Sequence, residues 1–343
     1  MRQIIAFDLE GPLSPMDHAF ESMALIEEGD KIFSVISRYD DLLALEGKEG
    51  YEPGDTLSLI VPFLLCHNIK EEDLSRVSAG AGLVEGARDL IQDLKEQGWL
   101  VHIISTSYRQ HAHVIGDRLG VPVKEGEDQM IFCTELPLNQ YHARLGREDF
   151  SLLKKVEKYI LDNLYLEDLE SGEKDGEIKK YLDKFFWEDL QKSQLGKIFS
   201  EVKVMGGRRK LRAVEEILQR HGAYLDEIAV VGDSITDFQM LKAVEAGGGL
   251  AAVFNGNIYA LSYGTCSLAT TDMRNLKILL DLWIEGGRER VRQAVIKREL
   301  PSPSKEGPFY HWLVGKKEGD IEEVVKIHKE IRGIVRGRAA GLG

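Results

Sequence analysis

Cysteine is scarce in this chain. Cys66, Cys133 and Cys266 are far apart and odd in number. That excludes a disulfide framework and any paired-cysteine metal motif, and reads as a reduced, cytoplasmic protein with buried thiols. Long hydrophobic runs are also missing. The most apolar stretch, 57–65, contains Pro62 and falls well short of the ~20 residues a membrane-spanning helix needs. Residues 1–8 carry no signal-peptide pattern and already read as a core strand. Positive charge is in deficit, with 44 Lys and Arg against 57 Asp and Glu and a formal net charge of -13. A phosphate backbone requires a basic face, so a nucleic-acid partner is excluded, and the acidity reads first as solubility.

What is present suits a folded protein of about two domains. Hydrophobic residues make up 43% of the 343 and charged ones 29%, enough to bury a sizeable core and too apolar for disorder. Short apolar runs recur at 4–7, 100–104, 130–133, 228–231 and 250–254. Each suits a strand buried on both faces. Amphipathic segments lie between them, as at 87–97, where Ala87, Leu90, Ile91 and Leu94 fall at helical spacing. Strand–helix alternation of this kind predicts an α/β fold, a parallel sheet with helices on both faces. Ligands then sit beyond the carboxyl ends of the strands, where Asp8, Ser105 and Asp233 stand. Two stretches interrupt the alternation: 13–81, mostly helical, and 135–199, rich in long charged side chains. Within the second, 166–180 reads as a solvated linker or helix–helix turn. The boundaries predicted are therefore a core of 1–12, 82–134 and 200–275, the two insertions, and a C-terminal helical extension at 276–343 broken near 301–308.

Four elements could carry chemistry. Asp8-Leu9-Glu10-Gly11 follows the first strand, and two carboxylates at i and i+2 can reach one site once the chain leaves the sheet. Asp8 could take up a phosphoryl group, and Glu10 could protonate a leaving oxygen and then activate water. The bland alternative is an acidic turn. Ser105 closes the second strand and could hydrogen-bond a phosphoryl oxygen or simply cap a helix. Thr106 and Ser107 could serve equally well. Lys210, in Gly206-Gly207-Arg208-Arg209-Lys210, could neutralise charge on Asp8 and on the transferring group, or be ordinary basic surface. Gly232-Asp233-Ser234-Ile235-Thr236-Asp237 adds two carboxylates at a neighbouring strand end, hard ligands that suit Mg²⁺.

In order and spacing these four elements resemble the haloacid dehalogenase (HAD) superfamily. Asp8-Leu9-Glu10-Gly11, Ser105, Lys210 and Gly232-Asp233-Ser234 with Asp237 look like its four motifs, and the run at 82–87 is similar to that of phosphoserine phosphatase-like members. The string Asp8 to Pro15 looks like a narrower archaeal-type branch, some of whose members are described as an energy-converting hydrogenase subunit. The resemblance implies a Rossmann-like HAD core with a helical first-insertion cap at 13–81 and an additional, mostly helical insertion. It implies Asp8 as nucleophile and Glu10 as general acid/base. Mg²⁺ would be held by Asp8, the Glu10 backbone carbonyl and Asp233, with Asp237 in support. Pro12 stands where the family usually has Thr, and Glu10 where it usually has Asp.

The expected activity is that of a phosphatase, a phosphomonoester hydrolase on a small phosphorylated metabolite, or a phosphotransferase if another hydroxyl outcompetes water. The alternative is a HAD-like protein with little catalysis that binds a partner, for instance a redox complex. A homodimer is the default oligomer, with no residue that argues for it. Asp17 could read a substrate amine, with Glu21 one helical turn on sharing its face. Against that stands the plain reading of charged residues on an exposed helix. Arg38 reads as an exposed salt bridge before a carboxylate fork. His111 and His113 point to different faces, His102 reads as a satisfied core histidine, and Asn255 and Asn257 as turn formers.

Overall fold

The computed structural model describes residues 3–337, and in it the apolar runs become one seven-stranded sheet of order β3-β2-β1-β4-β5-β6-β7. The strands are β1 (Ile4–Phe7), β2 (Leu100–Tyr108), β3 (Ile131–Thr134), β4 (Ile228–Gly232), β5 (Leu250–Phe254), β6 (Cys266–Ala269) and β7 (Phe309–Trp312). Neighbours are parallel except β6 and β7. The interior strand β1 pairs with β2 through Ile4 and Leu100, and with β4 through Ile4 and Ile228. All four of its residues are buried, because alternate side chains meet helices on opposite faces.

From β1 the chain makes a first excursion through α1 (His18–Met23), α2 (Gly29–Glu46), α3 (Thr56–Cys66) and α4 (Glu71–Ala79). It re-enters the sheet through α5 (Ala87–Glu96) into β2, and through α6 (Arg109–Leu119) into β3. A second excursion runs through α7 (Leu138–His142), α8 (Arg147–Tyr159), α9 (Asp175–Lys184) and α10 (Gln194–Glu201). Then α11 (Arg208–His221) leads to β4, α12 (Phe238–Ala246) to β5 and α13 (Ile258–Leu261) to β6. The chain closes with α14 (Leu276–Ile296), β7 and α15 (Glu318–Arg336). Helices α5, α6 and α14 bury one face of the sheet, against Ile5 and Phe7. Helices α11, α12, α13 and α15 bury the other, against Ile4 and Ala6.

The two excursions share one hydrophobic core, in which α2 and α3 pack against α8, α9 and α10. The Tyr39 ring stacks on Phe186 with centroids 5.8 Å apart. The Tyr39 hydroxyl donates to Asp183 at 2.6 Å and accepts from the Trp187 indole at 2.8 Å. Arg38 forks onto both oxygens of Asp175 at 2.8 and 2.6 Å. The segment expected as a solvated linker at 166–180 is therefore in part the start of α9, held by that fork.

The C-terminal extension differs from the expectation of a helical tail, since β7 pairs along the sheet edge with Cys266 opposite Trp312. Aromatic residues in its short Phe-Tyr-His-Trp run favour a half-buried strand. The cysteines are unpaired, with Cys133 and Cys266 buried and Cys66 half-buried. Among the described residues no helix is long and apolar enough to cross a membrane.

Candidate active site

The site forms where β1 and β4 end side by side. The Asp8 N–H donates to the Val231 carbonyl at 2.8 Å, so Asp8 begins as a continuation of the sheet. The chain then folds back. The Leu13 and Ser14 N–H groups donate to the Leu9 carbonyl at 2.9 and 2.8 Å, and the Gly11 N–H to that of Ser14 at 2.7 Å. Gly11 takes a φ of +102°, open chiefly to glycine, and a Cβ there would lie 2.2 Å from Asp233 Oδ2. Both the turn and the close approach of Asp233 therefore require glycine.

Beyond β4, Asp237 folds back on its own loop. Its Oδ2 accepts from the N–H groups of Asp233 at 2.9 Å and Ser234 at 3.1 Å. Its Oδ1 accepts from Lys210 Nζ at 2.6 Å, and the same ammonium lies 2.7 Å from Asp8 Oδ1. Lys210, in the first turn of α11, is fully buried and bridges the two strand ends. The Leu9 N–H also donates to Asp8 Oδ1, at 2.7 Å. Both contacts of Asp8 thus fall on one oxygen.

Asp8, Asp233 and Asp237 offer ligand atoms within 4.8 Å of one another. Asp233 Oδ1 is buried and accepts no hydrogen bond. An orphaned carboxylate oxygen among three buried acids is costly unless something positive meets it. The donor set is all hard oxygen and fits a divalent cation of the Mg²⁺ kind. Burial, and then the charge on Asp237, raise the Asp8 carboxyl well above the usual carboxylate range, against the pull of Lys210. Burial likewise raises Asp233, opposed by Arg332 and Arg336. Burial disfavours the charge on Lys210, but Asp237 and Asp8 outweigh it and hold the ammonium protonated. Glu10 stands beside this group, its Oε1 accepting from the His18 N–H at 2.6 Å. Burial, reinforced by Asp17, pushes its carboxyl up to about 8.

A cleft of about 480 Å³ opens over Asp8, Glu10 and Asp233. Its size suits a small molecule. The loop carrying Pro53 and Gly54 roofs it, with a φ of +95° at Gly54 and space for a Cβ only 2.5 Å from Thr106 Cγ2. Strand β2 runs on past Ile104 to Tyr108, so Ser105 lies inside the strand. Its hydroxyl pairs with that of Ser107 at 2.6 Å, and it is Thr106 that lines the cleft. Asp17 lines it too, while its carboxylate caps α1 by accepting from the Phe20 N–H at 2.9 Å. Glu21 stands apart from the lining.

His111 is buried and His113 half-buried, on different faces of α6. His102 corrects its expectation: Nε2 meets His221 at 3.2 Å, but the buried Nδ1 has no partner. Asn255 adopts a left-handed φ of 47° and exchanges hydrogen bonds with the Thr270 backbone, both at 2.9 Å. Asn257 caps α13.

Two site residues escaped the sequence reading. Arg332 and Arg336 of α15 both reach Asp233 Oδ2, with Arg336 Nη1 at 3.3 Å and Arg332 Nη1 closer. Their side chains are only 4% and 5% exposed. A signal was present. On α15 the buried positions are Ile321, Val324, His328, Ile331 and Arg332, so an arginine continues the apolar stripe of an amphipathic helix.

No family model matches the chain, and no curated protein matches it. A gene product of Archaeoglobus fulgidus of known structure is 28% identical, with a TM-score of 0.82 across 100% of this chain and 99% of that one. Phosphoserine phosphatase, solved as a phospho-aspartyl intermediate analogue and as a substrate-bound complex, is 17% and 16% identical. Both superpose with a TM-score of 0.50, covering 81% of this chain and 98% of theirs. The fold is that of phosphoserine phosphatase. The mostly parallel α/β fold expected from the strand–helix alternation is what the chain shares with it.

Proposed function

We propose that this chain is a Mg²⁺-dependent phosphomonoester hydrolase of the HAD type, acting on a small phosphorylated metabolite. The observation that carries the reading is Lys210 buried between Asp8 and Asp237 at the floor of the cleft. Its ammonium engages Asp8 Oδ1 and leaves Oδ2 for phosphorus. The resemblance to a phosphatase solved as a phospho-aspartyl intermediate analogue supports a covalent route.

In the first step Asp8 attacks phosphorus, the ester P–O bond breaks, and Glu10 gives its proton to the leaving oxygen. In the second, Glu10 takes a proton from water, the water oxygen attacks phosphorus, and the aspartyl phosphate bond breaks to release phosphate and restore Asp8. Lys210 offsets the charge that gathers on the phosphoryl oxygens. Thr106, in the cleft wall, would supply a hydroxyl donor to the same oxygens. Asp8, Asp233 and Asp237, with the Glu10 carbonyl, would hold Mg²⁺, which when bound draws charge from the phosphoryl group. Asp17, in the cleft wall, would meet a substrate amine.

Burial of this cluster speaks against the partner-binding alternative, since a scaffold gains nothing from hiding several acids and a lysine at one point. The test is hydrolysis of an aryl phosphate with and without Mg²⁺, comparing wild type with Asp8→Asn. Metal-dependent turnover that vanishes in the variant, with the fold intact, is the expected result. Turnover that survives in Asp8→Asn removes Asp8 as nucleophile.

A further inference from the structure

The hydrolytic route above uses neither Arg332 nor Arg336, yet both line the cleft beside Asp8 and Asp233. They lie one turn apart on α15 and converge on a single atom, Asp233 Oδ2. Arg332 Nη1 also approaches the Asn255 carbonyl at 3.4 Å, and Arg336 Nε the Pro15 carbonyl at 3.4 Å. The other carboxylate oxygen of Asp233 accepts no hydrogen bond. The planar forks of two such guanidiniums match the paired oxygens of an oxyanion. Where they now sit, the two positive charges oppose a divalent cation at Asp233, and in a buried site that repulsion is weakly screened. A phosphoryl group entering the cleft relieves that repulsion, because it offers several oxygens to the guanidiniums and frees the carboxylate.

We propose that Arg332 and Arg336 are the oxyanion-receiving side chains of this site, held on Asp233 until an oxyanion draws them off, so that oxyanion and divalent cation load cooperatively. The inference rests on the reading of the acid cluster as a cation site. Linkage is reciprocal: whatever factor phosphate adds to cation affinity, the cation adds to phosphate affinity.

Calorimetric titration of the full chain with Mg²⁺, with and without saturating inorganic phosphate, tests it. Phosphate should tighten Mg²⁺ binding to wild type by about tenfold or more. The Arg332→Gln/Arg336→Gln double variant should bind Mg²⁺ alone about tenfold more tightly than wild type does, with no further gain from phosphate. Arg332→Lys keeps the charge without the fork, so it should hold Mg²⁺ affinity low and lose most of the gain from phosphate. Should the double variant melt before it can be titrated, Arg336→Gln alone, which removes the longer contact, should show the same direction.

A double variant that binds Mg²⁺ no more tightly than wild type overturns the proposal and leaves the arginines as fasteners of α15. So does phosphate coupling that persists without them. If neither protein binds Mg²⁺ under any condition while both remain folded by circular dichroism, it is the cation-site reading itself that fails.

Discussion

Arg209 donates from Nη1 to Asp55 Oδ1 at 2.7 Å, fastening the helix that carries Lys210 to the loop that roofs the cleft. Arg208 adds a second ion pair to the same loop, 3.1 Å from Glu52. The roof is therefore latched to the element that supplies the site's ammonium.

Weakening that latch should free the roof. Arg209→Ala leaves the Asp55 carboxylate, 10% exposed, without its cation and should cost about 1–2 kcal/mol of stability, between the surface and buried limits for ion pairs. KM for an aryl phosphate should rise several-fold, and the 52–56 loop should become the first site of limited proteolysis. Unchanged cleavage kinetics would show that the latch does not govern opening.

Gly11→Ala tests the fit of the first loop against the second. The new methyl would have to occupy the place of Asp233 Oδ2 while the backbone holds a φ of +102°. Asp233 must move or the turn must open. The expected outcome is a loss of about 1–3 kcal/mol in stability together with loss of Mg²⁺ binding by calorimetry. A variant that keeps wild-type Mg²⁺ affinity would show that Asp233 can shift without consequence.

Lys210→Ala removes the ammonium that bridges Asp8 and Asp237, both buried. Uncompensated buried charge costs about 3–5 kcal/mol, so the variant should melt well below wild type at pH 7. Raising the Mg²⁺ concentration should recover part of the melting temperature, because a cation at the acid cluster replaces some of the missing charge. Activity should fall by at least about 10²-fold.

His111 gives a pH prediction whose sign follows from its burial. It stacks on His18 at 4.6 Å, its Nδ1 meets Ser78 Oγ at 3.1 Å, and its Nε2 has no partner. Burial, and then Arg118, lower its pKa to about 3. A base whose pKa is lowered on folding contributes stability that is complete above the unfolded value, near 6.5, and is lost as pH falls toward 3. The loss reaches about 1.4 kcal/mol per pH unit for a single group. Urea midpoints of wild type and His111→Gln should therefore draw together between pH 7 and pH 5. A constant gap would mean that His111 titrates normally in the fold.

The acid cluster was legible because each member follows directly on an apolar run or opens a helix. Asp8 follows β1, Asp233 follows β4, and Lys210 lies in the first turn of α11, so local pattern placed the two aspartates at strand ends and the lysine at a helix start. What pattern could not convey was contact between distant segments. Arg332 reaches Asp233 across 99 positions, and Arg38 reaches Asp175 across 137. In sequence each is an ordinary charge on a helix. Ser105 was misjudged in a smaller way, because Ser and Thr after an apolar run looked like a strand end while β2 continued to Tyr108. Strands β6 and β7 did not stand out because Ser267 and His311 break their apolar runs, whereas β1, equally short, is apolar throughout.

The common core of the two excursions has a mechanical consequence. A lid hung from a single entry and exit can swivel on its two connecting strands as on a loose hinge. Here the chain enters and leaves the helical body twice, once between β1 and β2 and again between β3 and α11. Four tethers spread along the rim of the sheet resist twisting and leave rocking about that rim as the soft motion. Substrate would then be admitted from one side of the body only, whatever its chemical identity.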